Sequence, residues 1–319
     1  LGIRVGHYHR GFHGTGTLGI FSAVAALSKF HALDVATTRT AFGIAASMAS
    51  GVQRNFGTMT KPLHVGECAR NGIMAVLLAR RGFSANPEVF EHKQGYFNLY
   101  NGAGQFEAAR VNASWGQPFE MVKPGASYKQ YPCCYSTHAA IEAALTLTRK
   151  HGAFDAATIA KVETGTPALG LSYTKRPQPQ SDLDAKFSVQ YCVTRALTEG
   201  KVVLEYFENE AFKQRVPRCL LPRVHSQLYT GQMFDPVDLF DAELRLTLTD
   251  GHVFQAKVDR PLGCTSDIPI PYDQPKAKYE DCAGRVLTRD VVARSLPVID
   301  CAKKECSASD LFEIIESGA

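Results

Sequence analysis

The chain lacks the features that mark several specialised classes of protein. No stretch contains the roughly 18 uncharged apolar residues that a membrane-spanning helix needs, so the sequence predicts no membrane partner. Its 35 basic and 31 acidic residues leave a formal net charge of only +4, and the basic residues form no run. Composition therefore gives no support for nucleic-acid binding, whereas a local cationic pocket for an acidic ligand is compatible with it.

Cysteine usage argues against a structural zinc site and against a disulfide framework. The nine cysteines are odd in number and irregularly spaced, and neither a CxxC pair nor a CxxC…HxxxH pattern occurs. The adjacent Cys133 and Cys134 are predicted to be two buried small side chains. This usage favours a reducing compartment, so we expect the protein in the cytoplasm, or in the mitochondrial matrix of a eukaryotic cell.

The first residues indicate a start within a longer sequence. Leu1 stands where an initiator methionine would be expected, and no signal peptide follows it. The run LGIRVGHYHR has the character of a segment from the middle of a protein. We therefore expect that an N-terminal part precedes this sequence.

Hydrophobic periodicity predicts a first section that is all-helical. Apolar and small residues recur at helical spacing in residues 17–31, 35–51 and 65–81. Thr17 is the predicted N-cap of the first helix, and Gly82 follows the third helix at a position where helices often end. Helices so rich in Ala and Gly are expected to pack closely and to be mostly buried.

Beyond about residue 115 the pattern becomes a mixture of strands and helices. Helices are predicted for residues 139–150 and 188–199, a strand from Ile159, and a hairpin around the turn dipeptide Asp250-Gly251. Residues 261–277 are rich in Pro, Gly and Asp and indicate a linker, after which the pattern is helical again. The sequence therefore predicts an α+β protein that is mainly helical.

One segment matches the residue pattern of a nucleotide-binding motif but lacks the structural context that the motif requires. Gly14, Gly16 and Gly19 match G-x-G-x-x-G, but that fingerprint must follow a buried strand within a βαβ unit. Here histidines precede the motif and helical patterns follow it. We interpret the run as small residues at a helix N-terminus, a place suited to a carboxylate that the upstream His13 could also reach. A lone histidine such as His13 is more often structural than catalytic, so a structural role is the alternative.

Two further segments combine an ammonium, a hydroxyl and an imidazole near a predicted helix start. Residues 55–64 carry Lys61 and His64, a pairing suited to binding carboxylates and moving protons. Residues 129–138 repeat that character, with Lys129 before a proline-containing bend. The alternative for both segments is a solvated loop that enters a helix.

Four segments, taken in order along the chain, form a recognisable set. They are Gly11-Phe12-His13 with Thr15-Gly16-Thr17, Thr60-Lys61-Pro62-Leu63-His64 with Ala69-Arg70-Asn71-Gly72, Lys129-x-Tyr-Pro-Cys-Cys with Thr137-His138, and Ser188-Val-Gln-Tyr191. Together they resemble the MmgE/PrpD family, which includes 2-methylcitrate dehydratases, cis-aconitate decarboxylases and iminodisuccinate epimerase. The resemblance runs from residue 10 to about residue 290.

The resemblance implies a two-domain architecture with an inserted lid. An all-helical domain would be built from both chain ends, residues 1–118 and 271–319, and a smaller α/β lid would cover residues 119–270. The active site would lie in the cleft between the two. The resemblance also implies a homodimer that uses no metal ion and no organic cofactor.

The resemblance further implies which residues would form the site. By position, the residues with implied catalytic roles are His13, Lys61, Lys129 and Tyr191, and those with implied substrate contacts are Thr60, His64 and Cys134. His64 is included on its chemistry, because it lies in the same motif as Lys61. For Tyr191 the alternative is a half-buried aromatic side chain without a chemical role.

Two departures from the family pattern bear on the reaction. Decarboxylase members carry a histidine where this chain has Cys134, which weakens the decarboxylase interpretation unless the thiol substitutes for the imidazole. The family's N-terminal helices, which contribute an Asp and Thr loop to the site, have no counterpart in this sequence. A chain without that loop could be inactive by itself.

Three hypotheses about function follow from the sequence. The first is a hydro-lyase that removes water from a small tricarboxylate such as 2-methylcitrate after abstracting a proton next to a carboxylate. The second is an epimerase or decarboxylase acting on a related acid such as iminodisuccinate or cis-aconitate. The third is a non-catalytic protein that binds small acids or serves as a scaffold.

Overall fold

The computed structural model describes residues 5–109, 113, 115–228, 241–300 and 307–317. The chain divides into two compact units, Leu1–Phe119 and Glu120–Ala319. The domain boundaries implied by the family resemblance, and the pairing of the two chain ends in one helical domain, stay predictions. No helix within the described residues is long and apolar enough to span a membrane.

The described part of the first unit is helical. Its helices are α1 (Val5–His9), α2 (Gly14–Phe30), α3 (Val35–Met48), α4 (Thr60–Arg80) and α5 (Tyr96–Asn101). Helices α2, α3 and α4 pack on one another around a core of small and β-branched side chains, among them Ile20, Val24, Ala41, Ala75 and Val76. Small residues allow this close approach, since a Cβ atom at Gly72 would lie 2.6 Å from the Cβ atom of Ala23.

The predicted helices of this unit exist, but two of them begin earlier than predicted. Helix α2 begins at Gly14 with His13 as its N-cap residue, so the prediction that Thr17 is the N-cap is wrong. The Thr17 hydroxyl instead bonds back to the His13 carbonyl group from within the first turn. Helix α4 begins at Thr60 because Pro62 is well tolerated in a first helical turn. Gly82, with φ of +81°, follows its end as predicted.

The second unit contains a four-stranded mixed sheet. Its strands are β1 (Ile159–Thr166), β2 (Val224–Leu228), β3 (Ala242–Leu248) and β4 (Val253–Val258), in the order β2-β1-β3-β4. Strand β1 is parallel to β2 and antiparallel to β3, and β3 and β4 form the hairpin predicted around Asp250-Gly251. Gly251 has φ of +91°, which a side chain would oppose and which such turns require.

The described residues of the second unit also form eight α-helices, some of which pack against the sheet. They are α6 (His138–His151), α7 (Ala168–Thr174), α8 (Asp182–Ala185), α9 (Val189–Glu199), α10 (Arg215–Leu220), α11 (Asp273–Ala283), α12 (Arg289–Asp300) and α13 (Ala308–Glu316). Helix α6 lies against β3 and β4, and α9 lies against α6 and β2. The predicted linker over 261–277 is wrong from Asp273 onward, where α11 begins.

The observed elements agree with the predicted fold class. The protein is α+β and mainly helical, with its sheet in the second unit. The run Gly14–Gly19 lies inside α2, and the described residues before it form α1 and a single bridge between Phe12 and Val52. The rejection of a dinucleotide fingerprint is therefore confirmed for this segment.

Helix α4 offers a matched test of close packing. The change Gly72→Ala should lower the free energy of unfolding by about 1–3 kcal/mol, because the new methyl group would overlap Ala23. The change Gly66→Ala in the same helix should raise it by roughly 0.5–1 kcal/mol, because nothing lies within 4 Å and alanine favours the helix. Urea denaturation measures both. Equal effects of the two substitutions would contradict this packing.

Candidate active site

Two histidines from distant parts of the first unit form a direct hydrogen bond. The Nδ1 atoms of His13 and His64 lie 3.0 Å apart, and the two ring centroids are 5.2 Å apart. His13 is only 5% exposed, whereas His64 is half-buried. A bond between two Nδ1 atoms requires one N–H and one lone pair, so the neutral rings must be opposite tautomers. The Nε2 atom of each ring is left for other partners.

Backbone geometry brings the two histidines together. The His13 N–H donates to the Gly51 carbonyl group at 3.0 Å, which fixes His13 at the start of α2. Gly51 has φ of +133°, and a Cβ atom there would lie 3.3 Å from His64 Nδ1 and 3.4 Å from His13 Cβ. At Gly16, a Cβ atom would lie 2.5 Å from the Ser50 carbonyl oxygen. A side chain at Gly51 would therefore press on both histidines, and one at Gly16 would collide with the Ser50 backbone.

An aromatic ring and a lysine complete this cluster. The His13 ring meets Phe56 edge to face, with 4.8 Å between centroids. Lys61 Nζ lies 4.5 Å from the centroid of the same phenyl ring, a cation–π distance. Thr60, the first residue of α4, is half-buried, and its N–H bonds to the Thr58 hydroxyl. An ammonium group therefore lies next to a buried imidazole.

The surroundings keep His13 neutral at ordinary pH. Burial is the largest cause, followed by the charges of His64 and Lys61, and together they lower the pKa of His13 to about 4. Burial disfavours the charged imidazolium, and a nearby ammonium opposes a second positive charge. At neutral pH the His13 ring is therefore uncharged, and one of its two nitrogen atoms can accept a proton.

A buried polar network lies behind His13. The Thr17 hydroxyl donates to the His13 carbonyl oxygen at 3.2 Å and lies 2.8 Å from His7 Nε2. The Tyr96 hydroxyl donates to the Thr17 carbonyl oxygen at 2.7 Å. Sequence reasoning missed His7 and Tyr96, which lie 10 positions before Thr17 and 79 positions after it. Local spacing carries no signal for such contacts.

The other predicted residues belong to the second unit. Lys129 is exposed, and its carbonyl oxygen accepts a hydrogen bond from Lys278 Nζ. Burial lowers the pKa of Lys278, and the charge of Lys129 acts in the same direction. Cys134 is buried, and its N–H donates to the Lys186 carbonyl oxygen at 2.8 Å. The catalytic role predicted for Lys129 and the substrate contact predicted for Cys134 stay predictions.

Tyr191 is enclosed rather than open to a ligand. Its side chain is 0% exposed, and its hydroxyl donates to the Tyr206 carbonyl oxygen at 2.5 Å. The same hydroxyl accepts a bond from Arg195 Nε at 3.0 Å, and burial raises its pKa. The phenolic proton is thus engaged within the second unit, and the proton-donor role of Tyr191 stays a prediction.

Cysteines and metal-binding groups can be compared with the sequence-based expectations. The cysteines that the structure describes are free thiols, at positions 68, 133, 134, 192, 219, 264 and 282. Cys133 and Cys134 are both buried, as predicted. Among the residues that the structure describes, no group of three or more His, Cys, Asp or Glu side chains is placed to hold a metal ion.

The buried state of His13 predicts a pH-dependent loss of stability. Because the folded-state pKa lies below the usual 6.5, protons bind preferentially to the unfolded chain as pH falls from 6.5 toward 4. Across that window the wild type should lose about 2 kcal/mol more than His13→Gln. Urea denaturation at successive pH values measures this, with His9→Gln as an exposed-histidine control that follows the wild type. Identical pH slopes in the wild type and His13→Gln would contradict a buried neutral imidazole.

Comparison with known proteins gives the chain a family. The MmgE/PrpD N-terminal domain matches residues 1–109, and the MmgE/PrpD C-terminal domain matches residues 131–304. The cis-aconitate decarboxylase of Mus musculus is 26% identical over 295 residues, which cover 91% of this chain and 59% of the mouse protein. The Homo sapiens cis-aconitate decarboxylase is 28% identical over 294 residues, 90% of this chain and 59% of the human protein.

A fungal relative is also named for its similarity to cis-aconitate decarboxylase. The cis-aconitate decarboxylase-like protein oryM of Aspergillus oryzae is 24% identical over 319 residues, 96% of this chain and 65% of the fungal protein. The chain therefore spans about three fifths of the length of the mammalian relatives, at 59%. Since the two domain matches together cover most of its residues, the chain belongs to the MmgE/PrpD family.

Proposed function

We propose that this chain carries the acid–base centre of a lyase that acts on a small tricarboxylate. The observation that carries the proposal is the hydrogen bond between the buried His13 and the half-buried His64, beside the Lys61 ammonium group. Membership of the MmgE/PrpD family and the cis-aconitate decarboxylases among its relatives support the substrate class. The proposal places Lys61 on a substrate carboxylate and His13 next to the reacting carbon.

The proposed chemistry follows from the negative charge that develops on the substrate. Cleavage of a C–H or C–C bond next to a carboxylate leaves negative charge on the substrate, which an ammonium group stabilises. Lys61 suits this task because its charge is compact and its ammonium group lies over the Phe56 ring, beside His13. A neutral His13 accepts a proton without first losing one.

Dehydration is the reaction that this centre favours. Removal of water next to a carboxylate begins with proton abstraction. The lowered pKa of His13 keeps its ring unprotonated at neutral pH, so that the ring can accept this proton. Decarboxylation instead needs a donor that protonates the carbanion left behind. We therefore propose a hydro-lyase acting on a substrate such as 2-methylcitrate.

Decarboxylation of a cis-aconitate-like acid is the second candidate. The names of the relatives favour it, since the mouse, human and fungal proteins are cis-aconitate decarboxylases or a decarboxylase-like protein. The decarboxylase pattern places a histidine where this chain has Cys134, and Cys134 is buried. That departure makes decarboxylation the weaker of the two proposals.

A single experiment separates the reactions. The protein, in the full length that its gene encodes, is incubated in D2O with methylcitrate, citrate, cis-aconitate and an amino-dicarboxylate, and each sample is followed by proton NMR. Loss of water with a new alkene signal supports the hydro-lyase, and loss of a carboxylate as CO2 supports decarboxylation. Deuterium entry without either product indicates epimerisation. No change with any of the four acids would overturn the proposal.

Removal of the Lys61 charge tests the carboxylate contact. The change Lys61→Met keeps an unbranched apolar side chain but removes the ammonium group over Phe56, and it should lower kcat/KM by roughly 10²-fold, in the range seen when a stabilising contact in the transition state is lost. The free energy of unfolding should change by no more than about 1 kcal/mol. Lys93→Met, at an exposed lysine of the same unit, is the control. A large loss of stability with unchanged kcat/KM would identify Lys61 as structural.

Replacement of His13 tests the base. His13→Gln should lower kcat by about 10²–10⁴-fold, because an amide cannot accept the proton. Binding of a substrate analogue, measured by calorimetry, should change much less, because Lys61 is retained. A fully active His13→Gln enzyme would remove this residue from the mechanism.

A further inference from the structure

The His13–His64 pair offers a path by which a proton can leave a buried base. His13 is almost fully enclosed, so a proton accepted there has little direct access to water. Its Nδ1 atom lies 3.0 Å from His64 Nδ1, and the His64 side chain is half-exposed. A base that must be used repeatedly needs such an exit, because a ring that keeps the substrate proton cannot accept another.

We propose that His64 is the second member of a two-histidine relay that carries the substrate proton from His13 toward solvent or the leaving group. This inference rests on the proposed function and names the residue that resets its base. The relay uses the Nδ1–Nδ1 hydrogen bond as its only internal step. Nothing in the family resemblance assigns this task to His64.

The proton balance of the relay can be written atom by atom. His13 begins with its hydrogen on Nδ1 and accepts the substrate proton at Nε2, while the C–H electron pair stays with the substrate. His13 then passes its Nδ1 hydrogen to His64 Nδ1, and His64 releases its Nε2 hydrogen to the departing hydroxide, which leaves as water. Both rings end as neutral tautomers of the opposite kind, and exchange with water restores the starting pair.

The surroundings of the two rings favour proton transfer between them and oppose the protonation of both rings at once. Two imidazolium rings with opposed Nδ1–H groups would lose their hydrogen bond and would lie near the Lys61 ammonium group. The pair therefore holds one shared proton between its Nδ1 atoms. Gly51 maintains the contact, because a Cβ atom there would press on the His64 ring and on the Cβ atom of His13.

The alternative is that His64 only orients His13. Under that alternative any side chain that accepts the His13 Nδ1 hydrogen would serve, and a glutamine can do so through its amide oxygen. A relay also requires His64 to pass a proton onward, which an amide cannot do. Glutamine therefore distinguishes the two roles.

The test measures steady-state kinetics of three proteins: wild type, His64→Gln and His64→Ala. For a relay, kcat of both variants should fall by roughly 10²-fold with a much smaller change in KM, and added imidazole should restore at least about tenfold of the loss in His64→Ala. For an orienting role, His64→Gln would keep the wild-type kcat, and imidazole would have no effect. His9→Ala, at an exposed histidine, controls for nonspecific effects.

A second measurement is independent of the substrate. In protein labelled with 15N at histidine, the relay predicts that the His13 ring N–H exchanges with water about tenfold more slowly in His64→Gln than in the wild type. Equal exchange rates would overturn the relay even if no acid in the panel reacts. Wild-type turnover with an unimpaired His64→Gln would overturn the relay but leave the proposed function intact. A silent panel with slowed exchange would overturn the proposed function, and with it the substrate proton, and would leave only a path for proton exchange through His64.

Discussion

The hydrogen bond between His13 and His64 constrains the rest of the first unit. Two imidazoles can lie 3.0 Å apart at Nδ1 only if one proton is shared and no second positive charge enters. Burial of His13 and the nearby Lys61 charge both enforce that condition. The pair also needs a backbone position without a side chain beside it, and Gly51 supplies that position.

This constraint explains why the helices of the unit are rich in small residues. Helix α2 presents His13 at its start, and helix α4 presents His64 within its first turns. For both side chains to meet, α2 and α4 must pack closely, and Gly72 against Ala23 permits that approach. Tight packing thus serves the stability of the fold and the position of the acid–base pair together.

Local sequence patterns predicted elements better than contacts. The β3–β4 hairpin, the helix from His138 and the helix ending before Gly200 follow from turn dipeptides and apolar spacing, which are local. The helix starts were less accurate because capping depends on tertiary partners. Thr17 has the residue type of an N-cap, yet its hydroxyl bonds to the His13 carbonyl oxygen from inside the helix.

The candidate site shows the same limit more sharply. The family resemblance named His13 and Lys61, and side-chain chemistry added His64. The contact between His13 and His64, which are 51 positions apart, depends on how α2 and α4 pack. Phe56 lies within residues 55–64 and has no role in the sequence-based prediction, yet its ring contacts both His13 and Lys61. The family resemblance named Tyr191 but could not predict its enclosure, because the engagement of its hydroxyl depends on Tyr206 and Arg195.

The most direct test of the central claim is the state of the proton between the two rings. NMR of 15N-histidine-labelled protein at neutral pH can detect scalar coupling across an N–H···N hydrogen bond. A shared proton predicts coupling between the Nδ1 atoms of His13 and His64, with one nitrogen protonated and the other not. Absence of coupling, with both Nδ1 atoms protonated or both bare, would contradict it.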